Sequence, residues 1–418
     1  MSVRNFFSFA VFLVTFLILC SHAFTSCGVW LCNYSTSVAS DFFMFDSLSF
    51  YLVILVSILG VFSWCWTGSH FKVSTKWFLL LSLAFSGCCF CVNHSILFWC
   101  LYELSMLPLL YLIFKDSPYS ERFIAGWYFA VYLVVTSLPL VLILIYLSSV
   151  NGSPLFSDWS YGTSPFTLYV LLSFIFFTKV PLSPFHTWLP IVHAEATSIV
   201  SIFLSGYIMK LGLLGVFRCS PFIFSCWFYG YLFFCCVLSI FFIVTASAEL
   251  DGKRWLAFLS LSHIVVSFLA LYICCWDSVS LSFVFCLGHG LSAGLVFGFL
   301  WLCYEISSSR NWLLLKESVG GKYTMLVGVL SLLSLCSFPP TLQFFCEVNL
   351  LIGSGFSLIF IVFWSCYLFF GGLVPLILCG HLLIRSESVD ACTCWSYTSF
   401  IFYLSLLCGW CYVGVFLL

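Results

Sequence analysis

Apolar residues run through this chain in long uninterrupted blocks, with neither the alternation of a half-buried strand nor the narrow stripe of a soluble helix. Runs long enough to cross a bilayer as helices, about 20 residues each, follow one another from end to end. A membrane β-barrel would need short alternating segments, and the run Val131–Leu147 does not alternate. Turn residues divide the blocks into thirteen predicted helices, at about 5–22, 43–66, 77–92, 95–114, 122–149, 167–189, 192–217, 222–245, 255–275, 280–304, 323–353, 356–384 and 397–417. The fold class predicted is an all-α polytopic membrane protein with about 13 transmembrane helices (range about 12–14). It is a single membrane domain over 1–418, opening on a short N-terminal helix region at 1–40 and closing on a C-terminal helix at 397–418. The start, Arg4 followed by Phe6–Cys20, has the form of a cleaved signal peptide, but a retained first helix is the expectation for a polytopic chain.

Charge placement tests this plan. Lys179 and Lys210 fall inside predicted spans. Alternating sides places Arg4, Lys72, Lys76, Lys115, Arg122, Lys253, Arg254, Arg310, Lys316, Lys322 and Arg385 together, with Arg218 alone opposite. The positive-inside rule expects such a bias, so the N-terminus and most basic loops are expected on the matrix or cytoplasmic side.

Composition narrows the class further. Of 418 residues, 63% are hydrophobic and 7% charged, against about 25% charged in soluble domains. The connections at about 150–166 and 305–322 are too short to fold alone. The 24 cysteines include the C-x-x-C spacings Cys88–Cys91 and Cys408–Cys411, but both lie in apolar runs and are read as core thiols. Abundant Phe, Cys and Trp fit a T- and G-rich organellar genome. No nucleotide-binding glycine loop, haem motif or iron–sulfur cysteine series is present, so no redox centre or metal site is expected in this chain, and no nucleic-acid partner.

The polar residues inside the apolar runs carry the candidate chemistry. A lysine at a membrane centre costs about 2.5–3.5 kcal/mol on insertion scales, and this chain repeats such costs. Glu103 sits mid-run. Lys179 stands just before Pro181 and Pro184, which should interrupt the helix near 179–190. Lys210 lies far from both ends of its run. Glu347 follows Pro339-Pro340, a second interruption near 337–347. His263 and His289 are candidate relay groups, since imidazole titrates near neutrality. His186, His193 and Glu195 suit proton uptake or helix docking. Two interrupted helices near buried charges suggest inverted repeats, at 77–217 and 222–384. From the residues alone, the reading is an ion-translocating membrane protein.

These same residues resemble the antiporter-like proton-pumping subunits of respiratory complex I, of the subunit 4 type in mitochondrial NADH dehydrogenase. The matching motifs run in order from Asp41 to Arg385. They include Tyr102-Glu103-Leu-Ser-Met-Leu-Pro108, Ser120-Glu-Arg-Phe-Ile-Ala-Gly126, Lys179-Val-Pro-Leu, His186-Thr-Trp-Leu-Pro190, His193-Ala-Glu195-Ala, Lys210-Leu-Gly-Leu-Leu-Gly215, Asp251-Gly-Lys253, Ser262-His263, His289-Gly-Leu-Ser, and Pro339-Pro-Thr with Glu347. Thr197 replaces the family's usual proline after Glu-Ala, and Ala257-Phe-Leu-Ser260 replaces its Ala-Tyr-Ser-Ser. The family commonly has fourteen helices. The resemblance implies that Glu103 and Lys179 form a coupling pair, Lys210 the central relay and Glu347 the acid on the exit side, with His263 and His289 connecting them. It also implies that NADH, FMN, iron–sulfur clusters and ubiquinone are bound by other subunits. The partners implied are other membrane-arm subunits, especially the antiporter-like ones, and membrane lipids. The location implied is the mitochondrial inner membrane. A Mrp-type cation/proton antiporter subunit is the alternative.

Overall fold

In a hydrocarbon medium every backbone N–H and C=O must find a partner within the protein, and the helix meets that demand locally. The computed structural model is accordingly mostly helical. It describes residues 38–39, 42–67, 71–160, 165–224, 226–273, 280–315, 322–355, 357–384 and 394–414. The predicted helix at 5–22 and the basic residues Arg4, Lys316 and Arg385 lie outside the described residues.

A short antiparallel pair, β1 (Val38–Ala39) and β2 (Met44–Phe45), precedes the helices. They are α1 (Ser47–Thr67), α2 (Val73–Phe90), α3 (Ser95–Asp116), α4 (Arg122–Asn151), α5 (Phe166–Lys179), α6 (Trp188–Glu195), α7 (Ser198–Phe203) and α8 (Met209–Cys219). There follow α9 (Cys226–Ala248), α10 (Gly252–Ile273), α11 (Ser280–Ser307), α12 (Lys322–Leu335), α13 (Leu342–Ser354), α14 (Leu358–Leu383) and α15 (Cys394–Val413). A π-helical turn, Leu204–Ile208, joins α7 to α8 into one span. Among the described residues, eight helices are long and apolar enough to cross a membrane; α1, α5, α12, α13 and α15 offer shorter apolar stretches.

One boundary differs from the sequence expectation. A helix was predicted to begin at 192, whereas α6 runs through His193 to Glu195 and the next helix starts at Ser198. The turn falls at Ala196-Thr197 because three side chains from other segments cap the end of α6, as described below.

The layering inverts that of a soluble protein. The α7–α8 span is buried along its whole length and α11 from Ser282 to Cys303, and they carry Lys210 and His289. Helices α4 and α14 lie at the edge and expose Trp127, Val135, Leu138, Phe369 and Leu376. Lipid can solvate those apolar faces but not an ammonium group, so polar residues occupy the middle.

Candidate functional site

Glu103 lies on α3 and Lys179 is the last residue of α5. Their side chains, both buried, approach to 3.3 Å between Oε1 and Nζ. The Lys179 ammonium also donates to the Leu133 carbonyl at 3.4 Å and lies 5.4 Å from the centre of the Tyr102 ring. Helix α5 stops here because Pro181 cannot donate and Val180, preceding it, is pushed off helical geometry. The carbonyls that this exposes are satisfied individually. Phe176 accepts from Val180 N at 2.9 Å, Phe177 from Leu182 N at 3.1 Å, and Thr178 from Trp188 Nε1 at 2.9 Å. Beside Lys179 is a cavity of about 10 Å³ walled by Phe129, Tyr132, Leu133, Trp188 and Ile208, close to the least volume that holds one water.

Ile208 leads to the second lysine. A π turn contains one residue more than an α turn and leaves carbonyls without their regular partners. In the turn Leu204–Ile208 the Ser205 carbonyl accepts from Nζ of Lys210, at 2.5 Å. Lys210 itself is fully enclosed. Helix α8 reaches α5 closely only because residue 212 is glycine: a Cβ there would stand 2.3 Å from Val180, the neighbour of Lys179. Both lysines therefore border one helix contact.

On the other side of Lys210 lie the histidines. His289 on α11 and His263 on α10 are buried, with ring centres 5.2 Å apart, and both feel the charge of Lys210. Neither ring nitrogen of His289 has a hydrogen-bond partner. His263 Nδ1 lies 2.5 Å from the Tyr367 hydroxyl on α14. Glu347 on α13 accepts from Ser337 Oγ at 2.9 Å and lies beside the Tyr367 hydroxyl. The six relay candidates thus form two groups, Glu103–Lys179 and Lys210–His289–His263–Glu347. Tyr367 was not legible in the sequence, since it sits among aromatic residues in an apolar run with no charge to mark it.

His186, His193 and Glu195 do not act together. His186 packs on Phe242 with ring centres 4.7 Å apart. His193 is stacked on Phe297 at 5.0 Å, with both ring nitrogens unpartnered. Glu195 belongs to a cluster at the helix ends. Arg310 lies 3.6 Å from Glu195 and 3.4 Å from Asp251. Three consecutive carbonyls at the end of α6 are capped from three separate segments: Ala194 by Arg310 at 2.5 Å, Glu195 by the Ser117 hydroxyl, and Ala196 by Lys253 at 2.7 Å. Cations suit a helix C-terminus, where the dipole is negative. Tyr119 presents its ring to both, at 4.3 Å from Arg310 and 4.9 Å from Lys253. Burial first, and then the neighbouring Tyr304, hold its phenol above the usual range, so it remains a neutral ring between two cations. At the opposite end of α3, about 33 Å away at 1.5 Å per residue, Arg218 pairs with Asp46 at 3.3 Å and donates to the Val92 carbonyl at 2.8 Å.

A mostly helical membrane plan with buried acid and lysine residues can be compared with known proteins. Residues 92–373 match the family described as NADH:quinone oxidoreductase/Mrp antiporter, TM. The chain belongs to this family. NADH-ubiquinone oxidoreductase chain 4 of Locusta migratoria is 30% identical over 373 residues, covering 86% of this chain and 80% of the relative. Its namesake in Ascaris suum is 27% identical, covering 79% of each. Among solved structures, a chain of respiratory complex I from Thermus thermophilus superposes with a TM-score of 0.75 at 17% identity, covering 99% of this chain and 93% of that one. A chain of the Mrp complex from Dietzia sp. gives 0.75 at 16% identity, covering 93% and 77%. Those two likenesses establish a shared membrane fold.

Proposed function

We propose that this chain is a proton-translocating membrane subunit of NADH:ubiquinone oxidoreductase, carrying protons along the buried line from Glu103 to Glu347. The observation that carries the reading is the Glu103–Lys179 ion pair at a helix interruption, with a second lysine sequestered beside it. The similarity to chain 4 relatives over most of the chain supports complex I over the Mrp alternative.

The physics is electrostatic. Two unit charges at 4 Å interact by about 4 kcal/mol at an effective dielectric of 20. Moving one charge against 100 mV costs about 2.3 kcal/mol. Opening and closing one such pair is therefore of the right size to drive one proton. When Glu103 is close, Lys179 holds its proton; when the pair loosens, the proton passes towards Lys210 and on to Glu347. His263 and His289 join the two, and Glu347 serves as the exit acid. His186, His193 and Glu195 are assigned to the uptake side or to helix docking.

The architecture belongs to the same reading. Counting α5 with α6 and α12 with α13 as interrupted spans, and adding 5–22, gives thirteen crossings. The repeats at 77–217 and 222–384 would each contain one interrupted helix. The basic loops would face the mitochondrial matrix, with other membrane-arm subunits and lipid against the apolar flanks. NADH, FMN, iron–sulfur clusters and ubiquinone are assigned to other subunits.

Two measurements test this. Native electrophoresis in mild detergent, with NADH-oxidation staining, is expected to find the chain in the stained band; recovery only from a smaller redox-inactive assembly would favour the antiporter. Lys210→Ala is expected to assemble and to lose coupled pumping, and unimpaired pumping would remove Lys210 from the path.

A further inference from the structure

We infer that Tyr367 is the catalytic link between the histidines and the exit acid, passing each proton from His263 to Glu347 through its phenol. The inference rests on the proton-translocation reading above and deepens it by naming a group that the line of charged residues lacks. The gap is physical. His263 is on α10 and Glu347 on α13, and neither forms a hydrogen bond to the other. The Tyr367 oxygen lies 2.5 Å from His263 Nδ1 and beside the Glu347 carboxyl.

The phenol is aimed as well as close. Its ring meets His263 nearly edge-on, at 88° and 5.9 Å between centres. Phe363 and Trp364 hold it at 5.5 and 5.7 Å, and Trp364 is itself fixed by a 2.8 Å bond to Ser354. Tyr367 is buried, so its hydroxyl has no bulk water to exchange with. A hydroxyl carries one donor and spare acceptor capacity, which is what a relay between two groups requires.

The transfer balances. A proton on His263 leaves Nδ1, breaking that N–H and forming an O–H on Tyr367. The phenol's original hydrogen leaves for the Glu347 carboxylate, breaking one O–H and forming another. His263 ends neutral, Glu347 ends as the acid, and the phenol is chemically unchanged. It must turn its hydrogen back towards Glu347 before the next cycle.

Tyr367→Phe removes one oxygen and keeps the packing. In sealed vesicles holding the assembled complex, checked by native electrophoresis, coupled proton translocation is expected to fall by about 10²-fold, the low end for loss of a positioned proton-transfer group. The infrared carboxyl stretch assigned to Glu347 by Glu347→Gln is expected to shift, because its phenol partner is gone. Tyr412→Phe, which removes a phenol bonded to the Leu330 carbonyl and outside the relay, is expected to move neither readout. Parental pumping by Tyr367→Phe overturns the inference. If Lys210→Ala is equally silent, it is the buried line as the proton path that fails; if Lys210→Ala is inactive, only Tyr367 is displaced. Should Tyr367→Phe not assemble, Tyr367→His keeps a ring able to accept and donate at that place. Pumping by that variant sustains the inference, and a loss equal to that of Lys210→Ala overturns it.

Discussion

Glu103 and Lys179 are each buried, and each is the other's counter-charge at 3.3 Å. Removing one member of such a pair leaves the other uncompensated, typically at about 3–5 kcal/mol, while replacing both with apolar residues is often neutral. Glu103→Gln is therefore expected to lower the thermal stability of the assembly more than Glu103→Gln combined with Lys179→Met. Both variants are expected to lose pumping. A double-mutant cycle on thermal denaturation measures this, and additive losses would show that the two side chains do not interact. At this scale the sequence was a good guide to ionic residues, because a lysine in an apolar run is conspicuous by its cost. It was a poor guide to neutral ones. Tyr367, which lies beside Glu347, and Ser337, which bonds it, belong to residue types common in any membrane helix, and only the packing of α13 against its neighbours singles them out.

Helices were legible as apolar blocks; α5 ends at Lys179 with α6 starting at Trp188, and α12 ends at Leu335 with α13 starting at Leu342. The π turn was not legible. It depends on the tight contact among α1, α11 and the α7–α8 span, which no local pattern in Leu204–Ile208 announces. Gly290 records that contact: a Cβ would lie 2.9 Å from the Gly206 carbonyl and 2.7 Å from Leu55. Gly290→Ala must push α11 away from the turn, and overpacking of this kind costs about 1–3 kcal/mol. We expect a lower unfolding temperature together with weakened pumping, since Gly206 adjoins the Ser205 carbonyl that holds Lys210. Unchanged stability would mean that the contact is looser than described. The cap on α6 was likewise hidden, because it joins residues 117, 253 and 310, which no sequence window brings together.

Across the whole molecule, the two ends of the bundle differ in chemistry. Lys253, Arg310 and Tyr119 gather at one end and Arg218 with Asp46 at the other. Ser120 and Ser157 are exposed beyond opposite ends of α4, about 45 Å apart along its 30 residues. With the parental chain as blank, a membrane-impermeant thiol reagent is expected to label Ser120→Cys and Ser157→Cys from opposite faces, Ser120→Cys from the matrix face. Labelling of both from one face would break the charge-based topology.

The cap on α6 also has a consequence for how the protein is made. Synthesis runs from the N-terminus, and at residue 196 only one of the three caps, Ser117, has been translated. The Ala196 carbonyl waits for Lys253, 57 residues later, and Ala194 for Arg310, 116 residues later. A buried carbonyl without a partner is costly, so the last turn of α6 gains its full set of partners only once Lys253 and Arg310 have been made. The far end of the segment that follows Lys179 is therefore expected to be pinned only after residue 310 has been translated, while Glu347 and Tyr367 of the proposed line are still to come.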